Sequence, residues 1–519
     1  MKRNRLAAID LGTNSVRCIV VEVDKLGKFK VLDDEKATVR LGEGIVKEGA
    51  ISEAAWQRTM DALSRMKKII DGYGVIGVET VATCALRQAA NGAAFVKAAA
   101  DNIGLPIVIV SGEEEAELAA LSALNNFDME GTRYAMVDIG GGSVEVITAL
   151  GSHIDEVYSL ELGAVTLTEN FITADPIIQK EYLRLRRHVR KTLKTALPPG
   201  EIPVHCLLGS GGTMTAIAAM VMAMRNEEYG SIHGSEVLRS EVVHLLAMLL
   251  RKNLKERKSL PGLNPDRADI IIAGVAVVDE LMNLFKANLL KINERGIREG
   301  LILKGLKKHN LLSAKSQPRN WRDAVLEFAR SCHQDEEHSL QVARLALEIF
   351  AALAVPFGFG EKERQMLEAA ALMHDVGYFI SYSGHHKHTY HLVRHADLFG
   401  FTPREREIIA HIARYHRKSL PKKKHESFAR LVPQDRLLVK RLGGILRLAD
   451  GLDRRRNSVV TSLDCSLSGS AFTVRITGEG DFSVELFGGR LKGDLFECAF
   501  RKKLQLLTAH RPDGLLTAG

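Results

Sequence analysis

A chain of 519 residues is too long for one hydrophobic core and implies several domains. Its 26% charged and 46% apolar residues exclude a disordered or fibrous chain, and no apolar run has the length of a membrane span. Six scattered cysteines without a CxxC pair exclude a disulfide framework or zinc ribbon, while a net charge of +8 and a pI near 9.0 favour a polyanionic partner.

The start, MKRNRLAAIDLG, is basic and then briefly apolar. It carries Asp10 and has no cleavage site, so it reads as a first strand and the protein as cytoplasmic, with no membrane partner. LAAIDLGTNSVRCIVVEV is two strands around a glycine-containing turn. ISEAAWQRTMDALSRMKKIIDGY has helical spacing with Ser52 as N-cap, and a strand then runs into VATCALRQAAN. LPIVIVSGEEEAELAALSAL reads as strand, turn and a helix with a Glu-rich first turn. YAMVDIGGGSVEVITAL is a second strand–DxG–strand unit, which repeats the one around Asp10 and implies two similar α/β lobes. VHCLLGSGGTMTAIAAMVMAM adds a strand, a Gly-rich turn and an apolar helix, and RGIREGLILKGL closes the second lobe. The polar segment 313–321 is a linker. Residues 323–455 are helical and rich in histidine, and VVTSLDCSLSGSAFTVRITGEG alternates like a small antiparallel sheet.

Four turns combine into one chemistry. Gly12, Thr13, Asn14 and Ser15 offer N–H and hydroxyl groups to phosphate oxygens. Gly140, Gly141, Gly142 and Ser143 offer the same from the repeated hairpin, although a loose hairpin turn alone would also use glycine. Gly209, Ser210, Gly211, Gly212 and Thr213 precede a helix, whose N-terminus attracts anions. Arg87 supplies a fork suited to phosphate. Asp10 and Asp138 end strands just before these turns, where a hard divalent cation needs oxygen ligands. Ser143 and Glu145 share a strand face. One of Glu113, Glu114 and Glu115 is a candidate general base for water, against the simpler reading as helix N-terminal charge.

DLGTNSVR, ATCALRQAAN, SGEEEA, DIGGGSVE, GSGGT and REG resemble, in order, the motifs of the exopolyphosphatase/guanosine pentaphosphate phosphohydrolase family, over roughly residues 5–305. That resemblance implies a duplicated ribonuclease H-like (actin-like) fold with the active site between its lobes. It also implies Mg2+-dependent removal of the terminal phosphate from inorganic polyphosphate. By motif position it makes Glu115 the base, Asp138 and Glu145 the metal- and water-positioning carboxylates beside Asp10, and Arg87 a phosphate contact. Cys84 stands where many members have Ser. Guanosine pentaphosphate (pppGpp) is the alternative substrate, and a regulator that binds polyphosphate or guanosine tetraphosphate without turnover is a further alternative. A sugar or acetate kinase is disfavoured by SGEEEA. A homodimer is expected from the resemblance only.

In the helical region, EHSLQVARLALEIF, LMHDVGYF and LRLADGLDRRR resemble the H…HD…D pattern of the HD phosphohydrolase superfamily. This implies a divalent metal on His338, His374, Asp375 and Asp450, with His388 and His416 as extra ligands. In many long exopolyphosphatases the domain is a relic that binds substrate and dimerises. The expected organisation is lobe I at 1–125, lobe II at 126–312, a helical HD-like domain at 322–456 and a β-rich domain at 457–519, the last two being all-α and α+β. The basic runs 184–191, 251–258, 416–425 and 454–456 read as solvated faces singly and as polyanion contacts together. With 6% aromatic residues and no recognition motif, nucleic acid is not an expected partner.

Overall fold

The computed structural model describes residues 4–25, 27–197, 204–311 and 320–508, so most of the expected linker at 313–321 lies outside the described residues. The chain forms two compact units, the first ending at Arg319 and the second running from Asn320, apart from the short stretch Tyr229–Ser231 that clusters with the second.

The first unit holds two sheets of matching topology. Strands β1 (Asn4–Leu11), β2 (Ser15–Val23), β3 (Phe29–Thr38), β4 (Gly77–Ala82) and β5 (Val108–Ile109) are ordered β3-β2-β1-β4-β5. β1 pairs antiparallel with β2 and parallel with β4. Flanked on both edges and buried along most of its length, it reads as a nearly continuous apolar run. Strands β6 (Arg133–Ile139), β7 (Val144–Leu150), β8 (His153–Leu160), β9 (Cys206–Ser210), β10 (Glu236–Leu238) and β11 (Leu289–Ile292) are ordered β10-β11-β9-β6-β7-β8. β6 repeats the role of β1, antiparallel to β7 and parallel to β9. The register sets Asp10 opposite Arg17 in the first hairpin and Asp138 opposite Glu145 in the second.

Helices cover these sheets. α1 (Glu53–Tyr73) starts where Ser52 accepts from the Ala55 N–H and stops at Gly74 in a left-handed conformation. α2 (Gly92–Ile103) packs Phe95 and Ala99 into the same core. α3 (Gly112–Asn126) opens on a capping box between Ser111 and Glu114. The second lobe adds α4 (Gln179–Ala196), α5 (Gly212–Met224) and α6 (Ile271–Leu284), which pack in one core with its sheet, and then α7 (Ile297–Lys308). α7 returns to the first sheet, where Leu301, Ile302 and Leu306 pack with Leu6, Ala8 and Val21. That packing ties the two lobes into one unit. ATCALR does not extend β4 to Arg87: the strand stops at Ala82 and Cys84–Gln88 is one helical turn.

The second unit contains α8 (Glu336–Phe357), α9 (Glu361–Met373), α10 (His385–His395), α11 (Pro403–Arg414) and α12 (Pro433–Leu452). Strands β12 (Val460–Ser468) and β13 (Ala471–Gly478) follow, then α13 (Ser483–Lys492), α14 (Asp494–Phe500) and β14 (Lys503–Thr508). One core joins Val342, Leu367, Ile409 and Leu446 of the helices to Val460, Phe472 and Phe496 of the β-rich part. The sheet is mixed rather than purely antiparallel, because β14 pairs parallel with β13 after the helical excursion. The absence of a span-length apolar run also needs correction. α8 is long and apolar enough to cross a bilayer, and its Val342, Leu345, Ile349 and Leu353 are buried in this core.

Two of the basic runs are partly structural. Arg186 and Arg190 both donate to the buried Glu280, and Arg257, itself buried, pairs with Asp175 at 3.2 Å.

Candidate functional site

The two DxG hairpins face each other across a cleft of about 930 Å³. Their turns close identically: Gly12 N–H donates to Ser15 O, and Gly140 N–H donates to Ser143 O. None of Gly140, Gly141 and Gly142 has a positive φ, so their use is space rather than conformation. A Cβ on Gly141 would lie 2.8 Å from Thr13 Cβ, and one on Gly142 would lie 2.5 Å from Cys84 Sγ. The second hairpin thus touches the first lobe through bare backbone. Gly211 differs, with φ +90 and a Cβ position 2.6 Å from Asp138 Oδ1.

Asp10, Gly12, Thr13, Asn14, Ser15, Glu115, Asp138, Gly140, Gly141, Gly142, Ser143, Gly211 and Gly212 line the cleft together. Gly209, Ser210, Thr213, Arg87 and Glu145 are not among its lining residues. Gly209 and Ser210 finish β9, and Thr213 turns inward and is buried. Arg87 donates to Val110 O at 2.6 Å and reaches Glu115 Oε2 at 3.4 Å, so it faces the carboxylate rather than the open cleft. Glu145 lines a smaller cavity behind, with Asp138, Ser210 and Asn293. Asp138 is the wall common to both.

The cleft also holds Arg17, Arg267, Glu294, Arg295 and Arg298, of which the motif reading gave none a role. Arg17 was findable, because it sits directly across the ladder from Asp10. Arg267 ends the short 3-10 turn Pro265–Arg267, outside every motif.

Electrostatics mark the carboxylates out. Burial, opposed by Arg298 and Arg17, raises the Asp10 pKa to about 6. Burial raises Asp138 as well, with the Ser210 hydroxyl and Arg17 opposing. Glu145 is pushed to about 7 by burial, against the hydrogen bond from Ser143. Glu115 rises well above the carboxylate range through burial and then through Glu145 and Asp10. Asp10 Oδ1 and Glu145 Oε2 are buried without hydrogen-bond partners. Orphaned oxygens among mutually repelling carboxylates fit a hard divalent cation with an all-oxygen donor set.

A second cluster lies in the second unit. The nitrogens and oxygens of His338, His374 and Asp450 are within 4.8 Å of one another, as are those of Asp375, His385 and His416. His388 is not among them. Its place is taken by His385, the first residue of α10, whose Nδ1 is held by Tyr382 O at 3.2 Å. His374 and His416 donate Nδ1–H to Ala371 O and Ala413 O at 2.7 Å each, and His338 Nδ1 to Asp453 Oδ2 at 2.7 Å. Backbone or carboxylate thus fixes every ring with Nε2 presented, as metal-ligating imidazoles require. His338 Nε2 and His374 Nε2 have no hydrogen-bond partner.

The profile of the Ppx/GppA phosphatase family matches residues 19–309, and that of Ppx/GppA phosphatase domain III matches residues 322–483. Exopolyphosphatase 2 of Mycobacterium tuberculosis is 32% identical over 317 residues, covering 58% of this chain and 99% of that protein. A crystal structure of the Aquifex aeolicus Ppx/GppA family member is similar at 28% identity and a TM-score of 0.52, over 59% of this chain and 99% of that one. An exopolyphosphatase from Cytophaga hutchinsonii shares the fold, at 24% identity and a TM-score of 0.56 over 60% and 100% of the two chains.

Proposed function

Because the chain belongs to the Ppx/GppA phosphatase family, and is a phosphoanhydride hydrolase, we propose that it is an exopolyphosphatase that removes terminal phosphate from inorganic polyphosphate. The observation that carries this reading is the set of carboxylates Asp10, Glu115 and Asp138, which share a glycine-walled cleft with Arg17, Arg267 and Arg298, and the buried Glu145 in the cavity that adjoins it at Asp138. Phosphoanhydride hydrolysis needs positioning and charge neutralisation more than covalent chemistry. Gly12–Ser15 and Gly140–Ser143 hold the terminal phosphoryl group, and the arginines balance its charge. Glu115, with its pKa raised, accepts a proton from water as the water oxygen bonds to phosphorus and the bridging P–O bond breaks. Mg2+ bound by Asp10, Asp138 and Glu145 would neutralise the phosphate oxygens beside them. Arg87 pairs with Glu115 at 3.4 Å and offsets part of its charge.

Within the two units we retain lobes 1–125 and 126–312, a helical HD-like domain at 322–456 that holds additional divalent metal on the six clustered residues, and a β-rich domain at 457–519. All six thiols are free, which supports a reducing, cytoplasmic location. A homodimer is part of the same reading.

Wild-type protein with Mg2+ is expected to release phosphate from long-chain polyphosphate faster than from guanosine pentaphosphate. The reverse order makes it a guanosine pentaphosphate phosphohydrolase, and release from neither makes it a binding regulator. Glu115→Gln should lower turnover about 10³-fold, in the range of a lost general base, and leave polyphosphate affinity within about threefold. Unchanged turnover rejects Glu115 as the base.

A further inference from the structure

Of the REG residues 298–300, Arg298 lines the cleft, while Glu299 and Gly300 are buried against α3, the helix whose first turn carries Glu115. A Cβ on Gly300 would lie 2.1 Å from Leu118 O, so α7 and α3 meet at bare backbone. Glu299 is 4% exposed, and both of its carboxylate oxygens are held. Oε2 accepts from the Ser122 hydroxyl at 2.8 Å and from Asn126 Nδ2 at 2.6 Å. Oε1 accepts from Arg295 Nη1 at 3.2 Å. Arg295 Nη1 also donates to Asn126 Oδ1, which closes a ring of three side chains, Arg295, Glu299 and Asn126.

Two helices can pack through apolar side chains, as Leu118, Leu301 and Ile302 do here, so a buried carboxylate between them calls for another use. Apolar contact does not supply a fixed guanidinium. Arg295 lies in the segment between β11 and α7, and its side chain is 32% exposed and lines the cleft with Asp10, Asp138 and Arg298. A long side chain on such a segment loses rotamer entropy when it grips a ligand. Glu299 and Asn126 hold its Nη1 before an anion arrives, so less of that loss falls on binding. Ser122 and Asn126 follow Glu115 by seven and eleven residues, which puts all three on one face of α3. One helix thus carries the candidate base in its first turn and the clamp on Arg295 in its last two.

We propose that Arg295 is a phosphate contact of the cleft and that Glu299 is its positioning residue, tying the guanidinium to the helix of Glu115. The inference rests on the reading of the cleft as the hydrolytic site. Ser122 and Asn126 satisfy one oxygen of Glu299, and the other faces Arg295. Their effect is on binding: Arg295 stays protonated, and no bond forms or breaks at Glu299.

The test uses full-length protein with Mg2+ and long-chain polyphosphate in steady-state assays. Arg295→Ala should raise KM about tenfold, the worth of one charge-assisted contact. Glu299→Gln keeps an acceptor for Ser122 and Asn126 but sets an amide NH2 against Arg295, and should raise KM by a similar factor. The two effects should not multiply: with Arg295 already replaced, Glu299→Gln should change KM by less than about threefold. If Glu299→Gln does not fold, Asn126→Ala, which removes the other acceptor of Arg295 Nη1, takes its place in the cycle. A merely structural role for Glu299 lowers the melting temperature and leaves the KM of the folded protein at the wild-type value. That result, an unchanged KM in Arg295→Ala, or effects that multiply in the double variant overturns the proposal alone. Release of phosphate by the wild type from neither polyphosphate nor guanosine pentaphosphate overturns the hydrolytic reading of the cleft and this proposal with it.

Discussion

Glu115 occupies the first turn of α3, where the helix N-terminus favours a negative charge, yet its carboxyl is pushed the other way. Burial and the neighbouring Glu145 outweigh the dipole because a dry carboxylate cluster costs several times what a helix end returns. Its neighbours Glu113 and Glu114 stay exposed, one in solvent and one in the capping box. SGEEEA narrows the candidate base to three adjacent residues, and of these Glu115 alone is buried. Asn293 could not be found that way. It follows β11, accepts from Arg295 N–H through Oδ1, and leaves Nδ2 buried and unpartnered in the cavity it shares with Glu145 Oε2. One water bridging Asn293 Nδ2 and Glu145 Oε2 would satisfy both atoms. Asn293→Leu should lower kcat about tenfold, roughly one hydrogen bond to a charged group, with KM unchanged in steady-state assays on polyphosphate. An unaltered kcat would separate Asn293 from Glu145.

At the level of elements, both DxG hairpins were legible because spacing and glycine content repeat. Which residues would share a face was less so. HHKHTYH places four histidines on one helix, and helical spacing alone has no phase. The backbone supplies it: Gly384, with φ +73, starts α10 at His385, so that ring is the one tied to Tyr382 O and turned to Asp375. His385→Ala should remove metal from the second unit and His388→Ala should retain it, by elemental analysis of the purified proteins. The glycines of the cleft carry a packing prediction. Gly142→Ala forces a methyl group against Cys84 Sγ and should cost about 1–3 kcal/mol of unfolding free energy. Cys84→Ala removes the nearer of the two Cys84 atoms and should recover part of that loss in denaturant titrations of the double variant. Additive losses would place the strain elsewhere.

Across the first unit, the raised carboxylates tie stability to pH and to metal. Asp10, Glu115 and Glu145 bind protons more tightly folded than unfolded, so without metal the fold loses stability as pH rises from about 4 through about 7. Mg2+ should offset this where the groups are ionised. Thermal melts with Mg2+ against EDTA should show a rise in Tm of several degrees at pH 8 and almost none at pH 5. An equal rise at both values would remove these carboxylates from the metal site. The duplication has one more consequence. The two hairpins superpose in topology, but the partner across the ladder is Arg17 for Asp10 and Glu145 for Asp138. The repeated topology makes a pseudo-symmetric box, and this one exchange of sign gives the box a direction. The wall beside Arg17 attracts an incoming anion, and the Asp138 wall, backed by Glu145, repels it while favouring a cation. An anion entering the cleft therefore meets surroundings of unlike sign at its two ends.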